Sequence, residues 1–523
     1  MGRRDARRAN RQALRRSEVI AGIGTSEFGI AAHAQSRPDQ TAIVAGDRRV
    51  TYAELDARAN QVAHAMRNAG IVPGDRVALA MRNRPEFFEA AAGAARAGAE
   101  VVSIGWRFKS DEVRYLVEDS KAKLIVAEST ARFTTKALGI IDWHLGGDYE
   151  DSLEEAPRTP IEDAPLPAPP RFRFYTSGTT GQPKAVERPV TPTGDYIERT
   201  KSFPPLDGLT KPGLVHLACG PMYHTAPCAF ANYALLFGHT VVLMDHFEAE
   251  EALSLIESER VTWTHMVPIN FIRILNIDED VRKKYDLKSL KKVLHAAAPC
   301  PVDVKKQIMK VFPRNVVWEY YGMTEAFATI ISPSEWQKKP GSVGKAAPGV
   351  TMKILDEKGK ELPPGETGVV YLIPSGGKFA YAGAPEKTKE SWRGDLFTVG
   401  DMGYLDEDGY LFLTDRRQDM IITGGANVYP AEVEATLYKH PAVADVAVIG
   451  VPDDEWGEAV KAIVETRKPV KAEELIDFCR ENLAHFKCPK TVELVDKLPR
   501  DENGKVRKRD LRDPYWAGRP ARI

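Results

Sequence analysis

The run Tyr175–Lys184, which reads Tyr-Thr-Ser-Gly-Thr-Thr-Gly-Gln-Pro-Lys, has the composition of a loop that surrounds phosphate. Gly178 and Gly181 let the backbone bend and approach a ligand closely. Backbone N–H groups and neighbouring hydroxyls can bind phosphate oxygens, and Lys184 adds a positive charge. The hydroxyl side chains are those of Thr176, Ser177, Thr179 and Thr180. The run lacks the GxxxxGK[ST] pattern of a Walker A loop. It predicts a different kind of phosphate loop, with a flexible surface loop as the alternative.

Other polar residues have chemistry that depends on their setting. Glu325 is a hard carboxylate suited to Mg²⁺, but alone it could simply open a helix. Asp401 could accept hydrogen bonds from sugar hydroxyls. Lys505 taken alone is a solvated lysine near the end of the chain, and His224 taken alone is a core histidine. None of these residues identifies a site by itself.

The elements that must position these residues follow a β-α-β pattern. Thr51–Gly70 reads as a helix, because Thr51 and Glu54 form a capping-box pattern and Gly70 sits where a C-cap belongs. Val77–Met81 reads as a buried strand. Further predicted helices are Pro85–Ala97, Ala249–Glu259 and Val302–Val311. Further predicted strands are Glu100–Ile104, Leu124–Ala127, Val215–Ala218, Thr240–Met244, Val261–Met266, Val293–Ala296 and Val316–Glu319. This alternation predicts an α/β fold with parallel-rich sheets covered by helices.

The pattern changes after about Asp415. Helices Pro430–His440 and Ala472–Ala484 alternate with strands Val443–Gly450, Ala459–Glu465 and Thr491–Leu494, which predicts a smaller α+β unit. We therefore expect three parts: a basic tail over 1–25, a large core over 26–417 and a small mobile domain over 418–523.

The phosphate loop, with four further motifs in the same order, resembles the adenylate-forming superfamily from about residue 30 to residue 512. That superfamily includes acyl-CoA synthetases, peptide-synthetase adenylation domains and firefly luciferase, and the chain looks most like the fatty-acyl- and aryl-CoA ligases. The further motifs are Tyr320-Tyr-Gly-Met-Thr-Glu325, His295-Ala-Ala-Ala-Pro299, Val399-Gly-Asp401 with Asp415–Pro430, and Leu498-Pro-Arg-Asp-Glu-Asn-Gly-Lys505.

The resemblance implies a role for each matched residue. Thr176 and Glu325 would hold Mg²⁺, and Tyr320 or Tyr321 would stack on adenine. Thr324 would meet the α-phosphate, and Lys505 would bridge carboxylate and α-phosphate. The residues expected around ATP are Thr176, Ser177, Gly178, Thr179, Thr180, Gly181, Lys184, Ala297, Ala298, Pro299, Glu319, Tyr320, Tyr321, Gly322, Thr324, Asp401, Arg416 and Lys505.

The resemblance also implies an acyl pocket and a mobile lid. The expected catalytic residues are Lys505, Glu325, Thr176 and His224, and the expected acyl-pocket residues are His224, Cys228, Ala296, Ala297, Gly322 and Met323. Gly424 and Gly425 match a loop on the coenzyme A side, and Gln418 falls at the hinge position, where relatives carry Asp or Lys. Ala296 and Ala297 replace the usual glycines. The small residues Ala226, Cys228, Ala296, Ala297 and Ala326 favour a roomy pocket.

The implied activity is ATP-dependent formation of an acyl-adenylate, then thioesterification to coenzyme A, with Mg²⁺ as cofactor. An enzyme that loads an acyl carrier protein shares the first step and stays open. A luciferase-type oxygenase and a catalytically dead binding protein are further alternatives, the last opposed by the intact Glu325, Asp401 and Lys505. The acid, whether fatty, aryl or polycyclic, is not determined.

Composition limits the partners. The 72 Lys and Arg residues nearly balance the 73 Asp and Glu residues, which gives no support to nucleic-acid binding. The cysteines, Cys219, Cys228, Cys300, Cys479 and Cys488, have no CxxC spacing, which favours a reducing cytoplasm. No apolar run approaches the roughly 20 residues of a membrane span. We expect the arginine-rich N-terminus to be a solvated tail, with contact to anionic lipid as the alternative, and a homodimer stays open.

Overall fold

The computed structural model describes residues 27–128, 139–161, 169–176, 183–189, 193–416, 419–424, 426–501 and 504–517. The arginine-rich N-terminus and the hinge residue Gln418 lie outside these ranges. Within them the strands form five sheets, and two of the sheets are built around parallel strands. No helix in these ranges combines the length and the apolar character that crossing a bilayer requires.

The largest sheet is a run of buried parallel strands with antiparallel strands at its edges. Strands such as Trp263–Met266 are buried along their whole length, as expected where helices cover both faces. In spatial order the strands are Lys345–Ala346, Phe327–Ile331, Val317–Gly322, Lys292–His295, Trp263–Met266, Val215–Ala218, Thr240–Leu243, Thr41–Ala45 and Arg48–Thr51. The predicted parallel strands of this sheet are confirmed, with ends shifted by at most three residues.

A second parallel sheet lies in the first part of the chain. Its strands, in spatial order, are Ile141–Leu145, Leu124–Glu128, Arg76–Ala80, Glu100–Ser103 and Phe172–Arg173. Helix Tyr52–Asn68 begins at the predicted Thr51–Glu54 capping box. It packs closely on helix Pro85–Ala97, because a Cβ on Gly93 would lie 2.4 Å from a Val62 methyl carbon. The glycine therefore sets the separation of the two helices.

Antiparallel sheets between the parallel core and the small domain were not predicted from the sequence. One contains Trp392–Arg393, Leu396–Phe397, Gly368–Ile373, Asp401–Leu405 and Leu411–Arg416, with Thr351–Leu355 paired to Gly368–Ile373. The other contains Ala380–Tyr381, Lys184–Glu187 and Tyr175–Thr176. Rings of Phe379, Trp392 and Phe397 pack in the core of this region, with Phe379 and Phe397 centroids 4.6 Å apart.

The C-terminal part has its own sheet and its own apolar core. Its strands are Ala426–Val428, Ile421–Thr423, Gly457–Thr466 and Val443–Asp453, with Thr491–Val495 parallel to Gly457–Thr466. Val433 and Leu437 from one helix and Leu475 from another are buried against it. This confirms the predicted small α+β unit.

The helices cover the sheets and connect their strands. In chain order they are Ile30–Ser36, Tyr52–Asn68, Pro85–Ala97, Ser110–Ser120, Asp148–Glu154, Thr193–Lys201, Thr225–Leu236, Ala249–Ser258, Pro268–Leu275, Glu279–Arg282, Val302–Val311, Pro333–Lys338, Pro385–Ser391, Pro430–Leu437, Ala472–Asn482 and Lys508–Trp516. Short 3-10 turns span Pro204–Leu206 and His485–Lys487.

A buried ion pair fixes the strand that carries Tyr320 and Tyr321. The Lys305 ammonium donates to the Glu319 carboxylate at 2.5 Å, and the Lys305 side chain is fully buried. Burial raises the pKa of Glu319, while Lys305 opposes that shift. His295 Nε2 lies 3.6 Å from Glu319, and burial keeps the pKa of His295 well below its ordinary value. The Glu319 side chain is thus committed to Lys305.

We predict that Lys305→Met destabilises the protein by about 3–5 kcal/mol, because it leaves the Glu319 carboxylate buried without its cation. Lys306→Met is the matched control, since Lys306 is exposed on the same helix, and we expect it to stay within about 0.5 kcal/mol of the wild type. Differential scanning calorimetry of the three proteins measures the effect. Equal melting temperatures for both variants would contradict the importance of the pair.

Candidate active site

The ends of the phosphate loop are held together by a short antiparallel ladder. Thr176 pairs with Lys184, and the Thr176 hydroxyl donates to the Lys184 carbonyl at 3.3 Å. The Lys184 ammonium donates to the Tyr115 hydroxyl at 3.0 Å and lies 3.7 Å from Asp119. The hydrogen bond to Tyr115 raises the pKa of Lys184, which keeps it cationic. Ser177, Gly178, Thr179, Thr180 and Gly181 lie outside the described residues.

Glu325 is a buried carboxylate that is held by a phenol. The Tyr381 hydroxyl donates to Glu325 Oε1 at 2.7 Å. The Lys387 ammonium lies over the Tyr381 ring, 4.4 Å from its centroid. Burial lowers the pKa of Lys387. The negative charge of Glu325 opposes this shift, and the positive charge of Lys184 adds to it. Lys387 is therefore close enough to interact electrostatically with both residues. Sequence analysis missed Lys387, and no motif pointed to it.

These groups fit the Mg²⁺ that the resemblance implies. Among the described residues, Glu325 forms no salt bridge, so its second oxygen is available for a cation. Mg²⁺ binds few protein oxygens and takes its remaining ligands from water and phosphate. Glu325, with the Thr176 hydroxyl from the loop, is a suitable donor set.

Asp401 has each of its oxygens occupied by a separate partner. The Tyr321 hydroxyl donates to Oδ2 at 2.5 Å, and Arg416 Nε donates to Oδ1 at 3.1 Å. Asp401 and Arg416 are cross-strand partners, which explains their closeness despite their separation in sequence. A ribose hydroxyl that binds Asp401 would therefore enter an already ordered cluster.

Tyr320 and Tyr321 point to opposite faces of their strand. Tyr321 faces Asp401. Tyr320 is buried on the other side, where its hydroxyl shares a 3.0 Å hydrogen bond with His265 Nε2 and its ring lies 5.6 Å from that of Phe327. Of the two aromatic residues expected at adenine, Tyr321 is therefore the one on the side of the Asp401 cluster.

Lys505 comes from the small domain and reaches this same cluster. Its loop is closed by the Lys505 N–H, which donates to Asp501 Oδ1 at 2.8 Å. Gly504 has a φ of 73°, and a Cβ there would lie 2.0 Å from Ile269 in the large domain, so only glycine fits. The positive charge of Arg416, followed by burial, lowers the pKa of Lys505 to about 8.

His224 lies at the N-cap of helix Thr225–Leu236 and near Lys505. Burial, followed by the charges of Lys505 and Arg507, lowers the pKa of His224 to about 3. Its Nε2 is buried and has no hydrogen-bond partner among the described residues. A neutral imidazole with a free ring nitrogen is suited to contact a bound ligand.

The predicted acyl wall divides into a buried side and an exposed side. The buried residues are Cys228 and Ala296. The exposed residues are Ala297 and Pro299, and Ala298 is half-buried. Ala297 has a φ of 75°, where an L-residue costs about 1–2 kcal/mol. Ala297 stands at a position where relatives have glycine. The backbone at Ala297 therefore keeps a conformation that suits glycine and is strained for alanine.

Gly322 and Met323 form a tight turn before Glu325. The Met323 N–H donates to the Ala326 carbonyl at 2.8 Å, and a Cβ on Gly322 would lie 3.2 Å from that same oxygen. The Thr324 hydroxyl lies 3.1 Å from the Thr225 hydroxyl, which joins this turn to the helix that follows His224.

The roomy pocket expected from the small residues stays a prediction. Ala326 packs into a separate cluster with Val186 and Tyr381. The rings of Phe230, Tyr320 and Phe327 lie close together in the same apolar cluster as Cys228 and Ala296. Only the folded chain brings these rings together.

On the coenzyme A side, Gly424 is described and Gly425 is not. Gly424 has a φ of 55°, and a Cβ there would lie 2.4 Å from the Trp456 ring. Its N–H donates to the Trp456 carbonyl at 2.9 Å. The glycine lets the loop lie flat against the indole.

Comparisons with known proteins agree with this geometry. The AMP-binding enzyme family matches residues 30–375, and the AMP-binding enzyme C-terminal domain matches residues 432–505. The 2-succinylbenzoate–CoA ligase of Bacillus licheniformis is 34% identical over 490 residues, covering 91% of this chain and 98% of that protein. The fatty acid–[acyl-carrier-protein] ligase ScoC of Streptomyces coeruleorubidus is 33% identical over 516 residues, with 92% and 95% covered.

A solved structure extends the likeness to the whole fold. The o-succinylbenzoate CoA synthetase MenE of Bacillus subtilis, in complex with its acyl-adenylate intermediate OSB-AMP, has a TM-score of 0.79 at 28% identity, covering 92% of this chain and 97% of that one. The same enzyme in complex with ATP and magnesium ion has a TM-score of 0.78 at 29% identity, with 92% and 98% covered. Motifs, fold and sequence therefore agree, and the chain belongs to the AMP-binding enzyme family, with both its main and its C-terminal domain.

Proposed function

We propose that this protein activates a carboxylic acid with ATP to an acyl-adenylate, releases pyrophosphate and then transfers the acyl group to coenzyme A. The observation that carries the proposal is the position of Lys505. A lysine of the small domain stands beside Arg416 and Asp401 of the large domain and near His224, whose Nε2 has no hydrogen-bond partner among the described residues. The family and its CoA-ligase relatives support the same reaction.

The first step joins two anions, so charge neutralisation is the main task of the protein. A carboxylate oxygen attacks the α-phosphorus, a P–O bond breaks and pyrophosphate leaves. We assign Lys505 to the space between the carboxylate and the α-phosphate, and Lys184 to the β- and γ-phosphates. Mg²⁺ on Thr176 and Glu325 would supply further positive charge at the phosphates.

The remaining residues bind and orient the nucleotide. We assign Tyr321 to adenine, Asp401 to the ribose hydroxyls and Thr324 to the α-phosphate. Arg416 holds the Asp401 carboxylate in place through its 3.1 Å hydrogen bond. Ordering these groups before the substrate binds reduces the reorganisation needed during the reaction.

In the second step a thiol must reach the adenylate carbonyl, where Lys505 would obstruct it. We propose that the small domain, residues 418–523, rotates about Gln418, withdraws Lys505 and presents the face of Gly424 and Gly425. Such hinge motion gives one active site two productive states.

A carrier-protein acceptor is the second candidate, favoured by the likeness to ScoC.

The described cysteines are free thiols, and on this basis we place the protein in the cytoplasm. A homodimer stays open as its assembly.

The proposal is tested by pyrophosphate release from Mg-ATP and a panel of carboxylic acids, with and without coenzyme A. We expect turnover only with coenzyme A, with acyl-CoA as product. Lys505→Ala should slow adenylation at least ~100-fold through the lost charge, whereas Lys497→Ala, which removes an exposed lysine of the same domain, should not. A single burst indifferent to coenzyme A would support a carrier-protein acceptor, and no release with any acid would overturn the proposal.

The pKa of about 8 for Lys505 predicts a pH dependence of adenylation. The step needs the protonated ammonium, so kcat/KM for the acid should fall as the pH rises through about 8, approaching tenfold per pH unit. Lys505→Arg keeps its charge at all these pH values and should remove the decline, even if its rate is lower. A wild-type profile that stays flat to pH 10 would show that no required cation titrates near pH 8, which contradicts this prediction.

Lys387 is expected to bind the triphosphate, because it lies near both Lys184 and Glu325. Lys387→Met should raise the KM for ATP about tenfold by removing a charge-assisted contact, with little change in the KM for the acid. Lys389→Met is the matched control, since Lys389 is exposed on the same helix. Steady-state kinetics with varied ATP measures the effect, and equal KM values for both variants would refute the role.

A further inference from the structure

The motif that carries Lys505 also contains Arg500, an arginine with no role in the reaction as described. Arg500 follows strand Thr491–Val495 of the small domain and precedes Lys505 by five residues. Its side chain is only 15% exposed. Because a buried guanidinium is costly unless its donors are satisfied, the partners of Arg500 indicate what it does.

The Arg500 guanidinium forms a two-point ion pair with Asp445. Its Nε donates to Asp445 Oδ2 at 2.6 Å, and its Nη2 donates to Oδ1 at 2.5 Å. Asp445 lies on strand Val443–Asp453, and its side chain is 6% exposed. Two such hydrogen bonds fix the orientation of a guanidinium as well as its distance. Arg500 is therefore attached firmly to the sheet of the small domain.

The remaining terminal nitrogen of Arg500 reaches the turn that presents Lys505. Arg500 Nη1 donates to the Gly504 carbonyl at 2.5 Å. The N–H of the same peptide group belongs to Lys505 and donates to Asp501 Oδ1 at 2.8 Å. Arg500 thus holds the carbonyl of this peptide group, and Asp501 holds its N–H. The peptide group that leads into the Lys505 side chain is fixed at both of its polar atoms.

Tyr438 places this arrangement where the two domains meet. Its hydroxyl donates to Asp445 Oδ1 at 2.5 Å and accepts from Arg500 Nη2 at 3.3 Å. Its ring packs against the apolar core of the small domain and also against the large-domain cluster that contains Ile269. Ile269 is the residue that Gly504 approaches. The contacts of Arg500 therefore lie beside the contact between the Lys505 turn and the large domain.

We propose that Arg500 is a positioning residue for adenylation, which acts by fixing the peptide group before Lys505 so that the ammonium reaches the space between the carboxylate and the α-phosphate. The inference rests on the proposed function. Arg500, Asp445 and Tyr438 all belong to the small domain, so they move together with Lys505 when that domain rotates. Arg500 should therefore be required for adenylation and dispensable for transfer to coenzyme A.

The first test measures the two half-reactions separately, with the whole protein and the acid of the panel that wild type uses fastest. Adenylation is followed as exchange of radiolabelled pyrophosphate into ATP. Transfer is followed as thioester formation from the synthetic acyl-adenylate and coenzyme A. Arg500→Met should slow the exchange about 10- to 100-fold, since a misplacement of about 1 Å costs that much, and should leave the transfer rate unchanged. Equal losses in both half-reactions would overturn the inference.

A double-mutant cycle tests whether Arg500 acts through Lys505. If it does, adding Arg500→Met to Lys505→Ala should reduce the residual pyrophosphate exchange no further, because the group that Arg500 positions is already absent. A loss in the double variant equal to the product of the two single losses would assign Arg500 a separate role and overturn the inference.

Arg509→Met is the matched control, because it removes a guanidinium from an exposed pair with Asp513 on the last helix of the same domain. It should leave both half-reactions unchanged. Arg500→Lys keeps a cation against Asp445 and so guards against a variant that does not fold. Lysine lacks the planar fork that binds Asp445 and the Gly504 carbonyl together. Arg500→Lys should therefore also slow the exchange, though less than Arg500→Met, and a wild-type exchange rate would contradict the need for both contacts.

Hydrogen–deuterium exchange followed by mass spectrometry tests the positioning without any substrate. In the whole protein, Arg500→Met should speed exchange in peptides covering residues 498–508, because opening of the turn exposes the amides of Gly504 and Lys505. Arg509→Met should not change it. Wild-type exchange in Arg500→Met would overturn the inference and leave the adenylation standing. No pyrophosphate release by the wild type with any acid would instead overturn the adenylation, and the inference would fall with it.

Discussion

The repulsion between a carboxylate and a triphosphate is the constraint around which the site is built. Lys184 and Lys387 lie near the phosphate loop, and Lys505 enters from the small domain beside Arg416. The positive charge of Arg416, followed by burial, lowers the pKa of Lys505 to about 8. Gly504 packs directly against Ile269, because the missing Cβ allows its loop to approach the large domain. This packing keeps Lys505 near Arg416 despite the repulsion between their charges.

The same arrangement explains why the fold has two units. A lysine required between the reacting groups in the first step would block a thiol in the second. We propose that carrying it on a separate domain, with its own sheet and its own apolar core, lets one motion both remove the lysine and present another surface. The large domain meanwhile keeps the Asp401, Arg416 and Tyr321 cluster fixed through cross-strand pairing and direct hydrogen bonds.

Local sequence signals predicted the elements that depend on local interactions. The Thr51–Glu54 capping box was predicted, and most buried strands of the parallel sheets were predicted to within three residues. Thr41–Ala45 and Ile141–Leu145 were not predicted. The antiparallel sheet that holds Asp401 and Arg416 was not, because its short strands have a weak alternation and pair with partners far along the chain.

The site was predictable only where a motif marked it. The opposite orientations of Tyr320 and Tyr321 depend on strand register, which the motif alone does not give. Lys387 acquires its position through its contact with Tyr381, which lies on a different element. Polar residues outside motifs look like surface residues until the fold places them.

The central claim is that a carboxylate oxygen attacks the α-phosphorus of ATP, and isotope transfer tests it most directly. An acid that supports pyrophosphate release would be labelled with ¹⁸O in its carboxylate and turned over with ATP and coenzyme A, and the AMP would be analysed by mass spectrometry. The account predicts one ¹⁸O atom in the AMP, since the oxygen that attacks the phosphorus stays with it when the thiol displaces the nucleotide. Label in inorganic phosphate with ADP as product, or unlabelled AMP, would contradict it.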